Sequence, residues 1–271
     1  MITSLSNPTI KHIRKLRERK ERQQSSLFLA EGVRLVGEAD QLDARIEMLL
    51  VAPDLLRSDF GWQIVDHQKG QGVTVLEVSD QVFKSISIKE GPQGIAAVVH
   101  QQWFTLSELT PDTGVSWVAL DAVQDPGNLG TILRTSAAVG GCGLILLDQT
   151  ADPYDPTSVR ASMGAIFSQK LVKTSLAEFS LWRNVADLPV VGTSGIATTD
   201  YQSIEYPPAL ILLMGSERQG LQQNHLDLCN LVVRIPMVGR VDSLNLSVAT
   251  ALVLYEIFNQ RRTQSTNPNG I

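Results

Sequence analysis

Cysteine is scarce in this chain of 271 residues, and that scarcity excludes several classes of protein. Its two cysteines, Cys142 and Cys229, lie far apart in the sequence. They cannot staple a small disulfide scaffold or supply a cysteine-rich metal site. The histidines are equally dispersed and show no spacing typical of metal ligands: His12, His67, His100 and His225. We therefore expect no metal in this protein.

Long hydrophobic runs are also missing. No segment approaches about 18 uninterrupted apolar residues, and the N-terminus has no apolar signal core. The composition, 43% hydrophobic and 19% charged, is that of an ordinary globular protein. We therefore predict a cytoplasmic protein with no membrane partner, long enough for two domains.

The glycine motifs of common nucleotide sites are absent too. Neither G-x-G-x-x-G nor G-x-x-x-x-G-K-[ST] occurs in the chain. A nucleotide-linked oxidoreductase would fit an alternation of strands and helices, but without the glycine fingerprint that alternative loses support.

Positive charge is in the minority overall but concentrated at one end. The net charge is −5, whereas residues 1–24 carry seven Lys or Arg against two Glu, a local charge of +5. Such clustering is the electrostatic footprint of phosphate binding, although a solvated helix with internal ion pairs is an alternative. We predict one helix from Pro8 to about Gln24 and expect its cations to bind RNA: Lys11, Arg14, Lys15 and Arg17.

Short apolar runs divide the chain into an N-terminal and a C-terminal α/β domain. The first domain is predicted over residues 1–100, with strands near 27–30, 46–51, 73–78 and 94–99. A polar segment with proline and glycine, residues 101–114, is the expected linker.

The second domain is predicted over residues 115–262. Near-continuous apolar runs alternate there with helix-length segments, which indicates a parallel sheet covered on both faces. The expected strands are 117–120, 144–147, 170–172, 190–192, 210–214 and 232–235. A final helix is expected over about 245–260, apolar nearly all round, followed by a loose tail over 263–271.

One loop of unusual composition follows the first strand of this second domain, where ligands of open α/β sheets bind. Residues 121–130 read DAVQDPGNLG and lead into a helix that carries Arg134. Asn128 can cap that helix, whose free N–H groups suit an anionic group. Taken singly, such a turn is usually structural.

Two further loops have the same character. Residues 214–220, MGSERQG, contain Gly215 and Glu217, and glycine permits close backbone approach to a ligand. Residues 235–250 contain Ser243 and Asn245, either of which can cap the final helix. Singly, these two loops also have a structural explanation, as a turn with a solvated glutamate and as a capping box.

Together, and in this order, the three loops resemble the motifs of the SpoU (TrmH-like) branch of the SPOUT RNA methyltransferases. The matching residues are N-x-G-x-x-x-R at 128–134, G-x-E-x-x-G at 215–220, and IPM at 235–237 with SLNLSVA at 243–249. Residues 160–165, RASMGA, also look like a family segment. Residues 1–100, with FLAEG at 28–32, look like the substrate-binding domain of ribosomal-RNA members.

The resemblance implies an α/β domain with a deep trefoil knot, preceded by a small α/β substrate-binding domain. It implies a homodimer that uses S-adenosylmethionine to methylate a ribose 2′-hydroxyl in RNA. The N-terminal resemblance favours 23S ribosomal RNA as the substrate, with transfer RNA as the alternative. The implied cofactor contacts, mostly through the backbone, are Gly215, Ile235 and Leu244. The implied catalytic residues are Arg134, Asn128, Glu217, Ser243 and Asn245.

Residue chemistry limits what Arg134 can do. A guanidinium does not ordinarily lose a proton in proteins, so we expect Arg134 to stabilise the developing alkoxide rather than act as a base. Asn128 is expected to orient Arg134 or the ribose, and Glu217 to brace the site. A non-catalytic RNA-binding protein of the same fold is the alternative. Such a protein is expected to lack Arg134 or Asn128, and both are present.

Overall fold

The structure, a computed structural model, describes residues 1–88, 90–109 and 116–265. Its helices and strands are, in chain order, α1 (Pro8–Lys15), α2 (Arg19–Ser25), β1 (Leu27–Glu31), α3 (Val33–Gln41), β2 (Ile46–Val51), α4 (Asp59–Gly70), β3 (Thr74–Glu77), α5 (Asp80–Ile86), β4 (Ile95–His100), β5 (Ser116–Asp121), α6 (Pro126–Ala138), β6 (Gly143–Leu147), α7 (Pro156–Ser162), β7 (Lys170–Thr174), α8 (Leu176–Ala186), β8 (Val190–Thr193), β9 (Thr199–Asp200), β10 (Leu210–Met214), α9 (Gln223–Leu226), β11 (Leu231–Arg234) and α10 (Leu246–Ser265).

The described residues form two compact units. The first unit consists of Met1–Gln101 and Asp152–Ser168, and the second of the described parts of Gln102–Ala151 and Gln169–Ile271. Residues 152–168, here called the inserted segment, therefore pack with the N-terminal part of the chain. The sequence predicts these residues to lie in the C-terminal domain, and that prediction is wrong.

The expected linker over 101–114 is only partly described, because residues 110–114 lie outside the described residues. Leu106–Glu108 forms a short 3₁₀-helix. Leu109 is buried in the core of the second unit. Residues 102–109 thus belong to the second unit rather than to a free connection.

The first unit is built on a four-stranded mixed sheet. The strand order is β1-β4-β2-β3, with β4 antiparallel to both of its neighbours and β2 parallel to β3. All four expected strands are confirmed to within one residue at each end. Helices α1 and α5 pack their apolar residues on this sheet around Phe83, which is fully buried.

The basic N-terminal segment forms two helices, so the prediction of one helix to Gln24 is wrong. Asn7 caps α1 with its side chain, and α1 ends at Lys15, with Leu16 as its C-cap. The guanidinium of Arg22 donates to the carbonyl oxygens of Leu16 and Arg17 at 2.9 and 2.8 Å. The Arg22 side chain therefore donates to carbonyl oxygens that would accept from backbone N–H groups if the helix continued.

Arg22 also fastens the inserted segment to the first unit. Its side chain is only 1% exposed and pairs with the carboxylates of Asp152 and Asp155 at 2.7 and 3.3 Å. A buried cation with two carboxylates and two carbonyls has its hydrogen-bonding capacity satisfied, which offsets the cost of removing its charge from water.

Aromatic packing completes the attachment of the inserted segment. The ring of Phe28 lies 4.8 Å from that of Tyr154 and 6.0 Å from that of Phe167, measured between centroids. Gly164 has a φ of +103°, and a Cβ there would lie 2.6 Å from the side chain of Glu38. Glycine is thus required at this position by both conformation and space.

The second unit is a seven-stranded sheet in which every pairing is parallel. Its order is β7-β6-β5-β10-β8-β11-β9. All six expected strands are confirmed, and β9 is a short addition. Strands β5, β6 and β10 are almost entirely buried, as expected for a parallel sheet covered on both faces.

Helix α10 runs further than expected, to Ser265, so residues 263–265 belong to it rather than to the tail. Residues 266–271 lie outside the described residues. One side of α10 is buried in the second unit, through Val253, Leu254 and Ile257. The opposite side is apolar but exposed, at 47%, 38% and 46% for Val248, Leu252 and Tyr255.

Among the described residues, no helix is both long enough and apolar enough to cross a membrane. Nor do three His, Cys, Asp or Glu side chains in this part of the chain cluster as a metal site would require.

Candidate functional site

The three loops singled out by the sequence follow parallel strands of the second unit. Strand β5 ends at Asp121 and β10 at Met214, and these strands are neighbours in which Leu120 pairs with Met214. Strand β11 ends at Arg234. Because parallel strands place their carboxyl ends at one edge of a sheet, the loops after them meet at that edge.

A chain of side-chain hydrogen bonds joins the three loops. The Nδ2 of Asn128 donates to Glu217 Oε1 at 3.3 Å. The Nδ2 of Asn245 donates to Asn128 Oδ1 at 2.9 Å. One residue comes from each loop, and we call these three residues the polar triad. Both ends of the Asn128 amide are therefore engaged by protein, and neither is bonded to Arg134.

Each outer member of the triad is itself anchored to backbone. Glu217 accepts from the N–H of Gln124 at 3.2 Å and from that of Asp125 at 3.5 Å. Asn245 Oδ1 accepts from the N–H of Ser247 at 2.9 Å, and its backbone carbonyl accepts from the N–H of Ala249. Asn245 is thus the residue that caps α10.

Helix α6 is capped by Asp125, so the expectation that Asn128 caps it is wrong. The carboxylate of Asp125 accepts from the N–H groups of Gly127 and Asn128 at 2.6 and 3.0 Å. Pro126 occupies the first helical position, where its fixed φ suits the helix and its missing N–H costs nothing. Asn128 therefore lies inside the first turn, and its side chain is free to join the triad.

Gly215 lies at a point where no other residue fits. A Cβ at this position would lie 2.1 Å from the backbone carbon of Gly220, because the loop folds straight back on itself. The N–H of Gly220 donates to Ser216 O at 3.0 Å, and Gly220 has a φ of +62°. The second loop is therefore a tight turn, and its Glu217 bonds to residues of the first loop.

The remaining candidates form no hydrogen bond with the triad among the described residues. Arg134 is exposed on α6, and no acceptor in the described part of the chain bonds its guanidinium. Ser243 is exposed in the third loop. Ile235 follows β11 and is half-buried, and Leu244 precedes α10 and is exposed.

Asp121 and His225 form a buried contact that the sequence did not reveal. His225 Nε2 lies 3.4 Å from Asp121 Oδ2, and its Nδ1 accepts from the N–H of Gln222 at 3.3 Å. Burial raises the pKa of the Asp121 carboxyl, and the neighbouring His225 opposes that rise. The contact ties helix α9, after the second loop, to the end of β5. Only the folded sheet brings these distant residues together, so no local pattern signals them.

A groove lies beside the site, between α6 and the exposed side of α10. Its volume is about 410 Å³. Thr131 and Thr135 line it from α6, and Val248, Leu252 and Tyr255 line it from α10. The exposed apolar stripe of α10 is therefore one wall of a concave surface.

The four basic residues expected to bind RNA fall into two pairs. Lys11 and Lys15 are exposed one turn apart on α1. Arg14 and Arg17 donate to backbone carbonyl oxygens, Arg14 at 2.7 Å and Arg17 at 2.8 and 3.1 Å. The two arginines thus have a structural role in addition to any contact with a ligand.

Two protein families match the chain, one in its C-terminal part and one in its N-terminal part. Residues 116–255 match the SpoU rRNA Methylase family. Residues 7–97 match the MRM3-like substrate binding domain.

Individual proteins resemble the chain over nearly its whole length. It is 31% identical to the 23S rRNA (guanosine(2553)-2′-O)-methyltransferase RlmP of Bacillus subtilis, covering 94% of this chain and 98% of that protein. It is also 31% identical to the 23S rRNA (uridine(2479)-2′-O)-methyltransferase of Streptomyces viridochromogenes, over 93% and 90%. An AdoMet-bound rRNA methyltransferase structure from Sinorhizobium meliloti superposes with a TM-score of 0.87 at 37% identity, covering 97% of each chain.

Proposed function

The chain belongs to the SpoU rRNA Methylase family, and from that membership and its loop geometry we propose that it methylates ribose in 23S ribosomal RNA. It is an S-adenosylmethionine-dependent RNA methyltransferase that acts on a 2′-hydroxyl. The polar triad carries the proposal. It links the three loops that follow β5, β10 and β11, from which most of the residues matching the family's motifs come, so that the proposed cofactor loops and ribose site are hydrogen-bonded to one another.

The second and third loops suit the cofactor. Gly215, Ile235 and Leu244 are the proposed contacts, and the third loop also exposes Met237 and Val241. Within the described part of the chain, the backbone groups of residues 236–244 make no backbone hydrogen bonds. Open backbone donors and acceptors beside exposed apolar side chains suit an adenosine that carries an aliphatic sulfonium chain. S-adenosylmethionine, when bound there, supplies an electrophilic methyl group on its sulfonium.

Arg134 is the proposed catalytic residue. Its guanidinium is exposed and unbonded among the described residues, so it is available to a ribose oxygen. A fixed positive fork beside that oxygen stabilises the negative charge that develops as the hydroxyl loses its proton. We assign the proton itself to water or a phosphate, because a guanidinium does not act as a base at neutral pH.

The triad members are proposed as positioning residues rather than catalytic ones. Asn128 already uses its amide oxygen and nitrogen on Asn245 and Glu217, so it holds the first loop and α6 in place instead of orienting Arg134. Holding reactants in line is worth up to roughly 7–11 kcal/mol in model reactions. Ser243, exposed in the third loop, is proposed to complete the ribose pocket.

Ribosomal RNA is the proposed substrate because two relatives of nearly equal length are named as 23S rRNA methyltransferases. The match of residues 7–97 to a substrate-binding domain supports a role for the first unit in holding that RNA. Lys11, Arg14, Lys15 and Arg17 are the proposed phosphate contacts. We place the reaction in the cytoplasm, where ribosomal RNA is modified in bacteria.

We also propose a homodimer with a knotted catalytic unit. The stripe formed by Val248, Leu252 and Tyr255 is an exposed apolar patch beside a groove, and a second copy of α10 would cover it. Strand β10 runs between β5 and β8, an order compatible with the trefoil knot that the family resemblance implies.

One experiment tests the proposed reaction directly. Purified protein is incubated with labelled S-adenosylmethionine and unmodified 23S ribosomal RNA or, separately, transfer RNA, and 2′-O-methylated nucleotides are mapped. Methylation of a single 23S nucleotide supports the proposal. Methylation of transfer RNA alone would reassign the substrate, and tight RNA binding without methyl transfer would identify a non-catalytic binding protein.

A further inference from the structure

The first unit contains a narrow cavity with two arginines in its lining. Its walls are largely apolar and come from β1, α3, α5 and α7, including Leu35, Ile86 and Val159. Arg17 and Arg160 are the only basic residues that line it in the described part of the chain. The cavity volume is about 20 Å³, room for about one water molecule. A nucleobase does not fit inside, so a ligand of this site has to be held at the rim by the arginines.

Arg17 is held in place at this rim by backbone. One nitrogen of its guanidinium donates to the carbonyl oxygens of Ser85 and Ser87 at 3.1 and 2.8 Å, just at and after the end of α5. A guanidinium has five N–H donors, so donors remain for an external acceptor. An arginine fixed in this way loses little further freedom when it binds a ligand.

Glu31, the acidic residue of the cavity, is hydrogen-bonded by the residues that directly follow α5. Its carboxylate is buried and accepts from the Ser87 hydroxyl at 2.5 Å and from the N–H of Ile88 at 3.2 Å. Neither arginine forms an ion pair with it within the described residues. Glu31 therefore fixes the backbone that orients Arg17, and its carboxylate leaves one net positive charge on the cavity lining.

Arg160 reaches the cavity from the inserted segment. It lies in the last turn of α7 and is exposed, and no acceptor among the described residues bonds its guanidinium. The cavity thus pairs a fixed arginine near the N-terminus with a free arginine from a segment distant in sequence.

We propose that Arg17 and Arg160 together bind one phosphodiester group of the RNA substrate. The inference rests on the proposed function, because it takes RNA to be the substrate. Guanidinium groups bind phosphate oxygens through paired, charge-assisted hydrogen bonds, which favours an anion with several acceptor oxygens over a neutral ligand. This assigns an RNA contact to the inserted segment as well as to the N-terminal helices.

The test compares Arg160→Gln with the wild-type protein, using in vitro transcribed 23S ribosomal RNA. We expect the Kd for this RNA to rise about tenfold, the range for a lost hydrogen bond to a charged group. The slope of log Kd against log salt should fall by roughly 0.7–0.9, the value for one phosphate contact. Transfer RNA binding should weaken by a similar factor, because a phosphate contact carries no sequence information.

Arg45→Gln is the matched control. Arg45 is exposed in the first unit and precedes β2, at the sheet end where Leu27 pairs with His100, whereas Glu31 pairs with Ala96 at the other end. Its neutralisation should leave RNA affinity and salt slope nearly unchanged. Arg17→Gln and the double variant test whether the two arginines bind the same phosphate. If they do, the double variant binds RNA little more weakly than either single variant.

Other outcomes overturn the proposal. Unchanged RNA affinity and salt slope in Arg160→Gln, with a lowered melting temperature, would mean that Arg160 only stabilises the end of α7. A second such outcome is that inorganic phosphate raises the melting temperature of the wild-type protein but not that of Arg160→Gln, with RNA affinity unchanged. That result would assign the two arginines to a site for free anions and not to RNA. If wild-type protein methylates 23S RNA and the variant binds it normally, the phosphate contact fails while the proposed function stands.

Discussion

Asn245 donates its side-chain amide to Asn128 across 2.9 Å, although 117 positions separate them in the chain. Asn245 caps the last helix, and Asn128 lies in the first turn of the helix after β5. Their contact, continued from Asn128 to Glu217, makes the geometry of the site depend on all three loops at once. A change in any member should therefore be felt at the other two.

Asn128→Asp should disrupt the triad most directly. The new carboxylate would replace a donor that now lies 3.3 Å from Glu217 Oε1, so two like charges would face each other. Methyl transfer should fall by about 10²-fold, the range for an ångström-scale misplacement of reacting groups. Adding Glu217→Gln restores a donor opposite the new carboxylate, and should recover part of the single-turnover rate. No recovery in that double variant would argue against the proposed coupling.

Arg134→Lys tests the catalytic assignment. Lysine keeps the charge but loses the planar fork, so turnover should fall by at least about 10²-fold, the lower range for removing one preorganised donor. Arg134→Ala should be as slow or slower, with cofactor affinity nearly unchanged. Single-turnover rates at saturating RNA and cofactor separate this step from binding. Near wild-type rates for Arg134→Ala would leave Arg134 with a packing or interface role.

Gly215→Ala should weaken cofactor binding. The added methyl would lie 2.1 Å from the backbone of Gly220, and a backbone cannot shift as a flexible side chain can. We expect at least about a tenfold loss of S-adenosylmethionine affinity by calorimetry, since one misfit carbon costs roughly 1–3 kcal/mol. Gly239→Ala, in the third loop, is the control because a Cβ there meets nothing within 4 Å. Equal affinities for the two variants would remove Gly215 from the cofactor site.

Lys11→Gln with Lys15→Gln should lower RNA affinity in a salt-dependent way. These two lysines are exposed on one side of α1. Removing them breaks no hydrogen bond to the backbone, whereas removing Arg14 or Arg17 would. Each lost phosphate contact should reduce the log–log salt slope by roughly 0.7–0.9. Lys69→Gln, an exposed lysine of α4, controls for net charge. A slope identical to that of wild type would mean that α1 presents only a solvated charged face.

Arg22→Met should destabilise the first unit strongly. The substitution leaves Asp152 and Asp155 without their buried partner, and breaking such a pair costs about 3–5 kcal/mol. The inserted segment should become sensitive to protease, and the urea midpoint should fall. Arg34→Met, at an exposed position on α3, should change the free energy of unfolding by less than about 0.5 kcal/mol. Equal midpoints for both variants would contradict a structural role for Arg22.

The strands were predictable because each is a short run whose apolar residues are nearly continuous. Residues 210–214, LILLM, are buried on both faces and form β10 as expected. A parallel sheet needs such strands, so the pattern indicated the architecture as well. Strand order is a different matter. The position of β10 between β5 and β8 depends on contacts between distant segments that no local pattern records.

The sequence named the members of the triad but not their contacts. Asp125 and Asn128 are both good capping residues. Because Pro126 occupies the first helical position, Asp125 is the residue that caps the helix, and the side chain of Asn128 is available for the triad. The inserted segment was missed for a similar reason. Its attachment depends on one buried arginine and one phenylalanine ring contributed from more than a hundred residues away, and neither residue looks unusual in its local sequence.

The inserted segment also has a consequence for the order in which the protein is made. Tyr154 and Phe167 pack on Phe28, so the N-terminal unit cannot complete its core until the ribosome has translated β5, α6 and β6 as well. Contacts of such long sequence separation slow folding and leave apolar surface uncovered in the growing chain. A nascent chain that stops before the inserted segment therefore lacks a finished N-terminal core and leaves the ring of Phe28 without two of its aromatic partners.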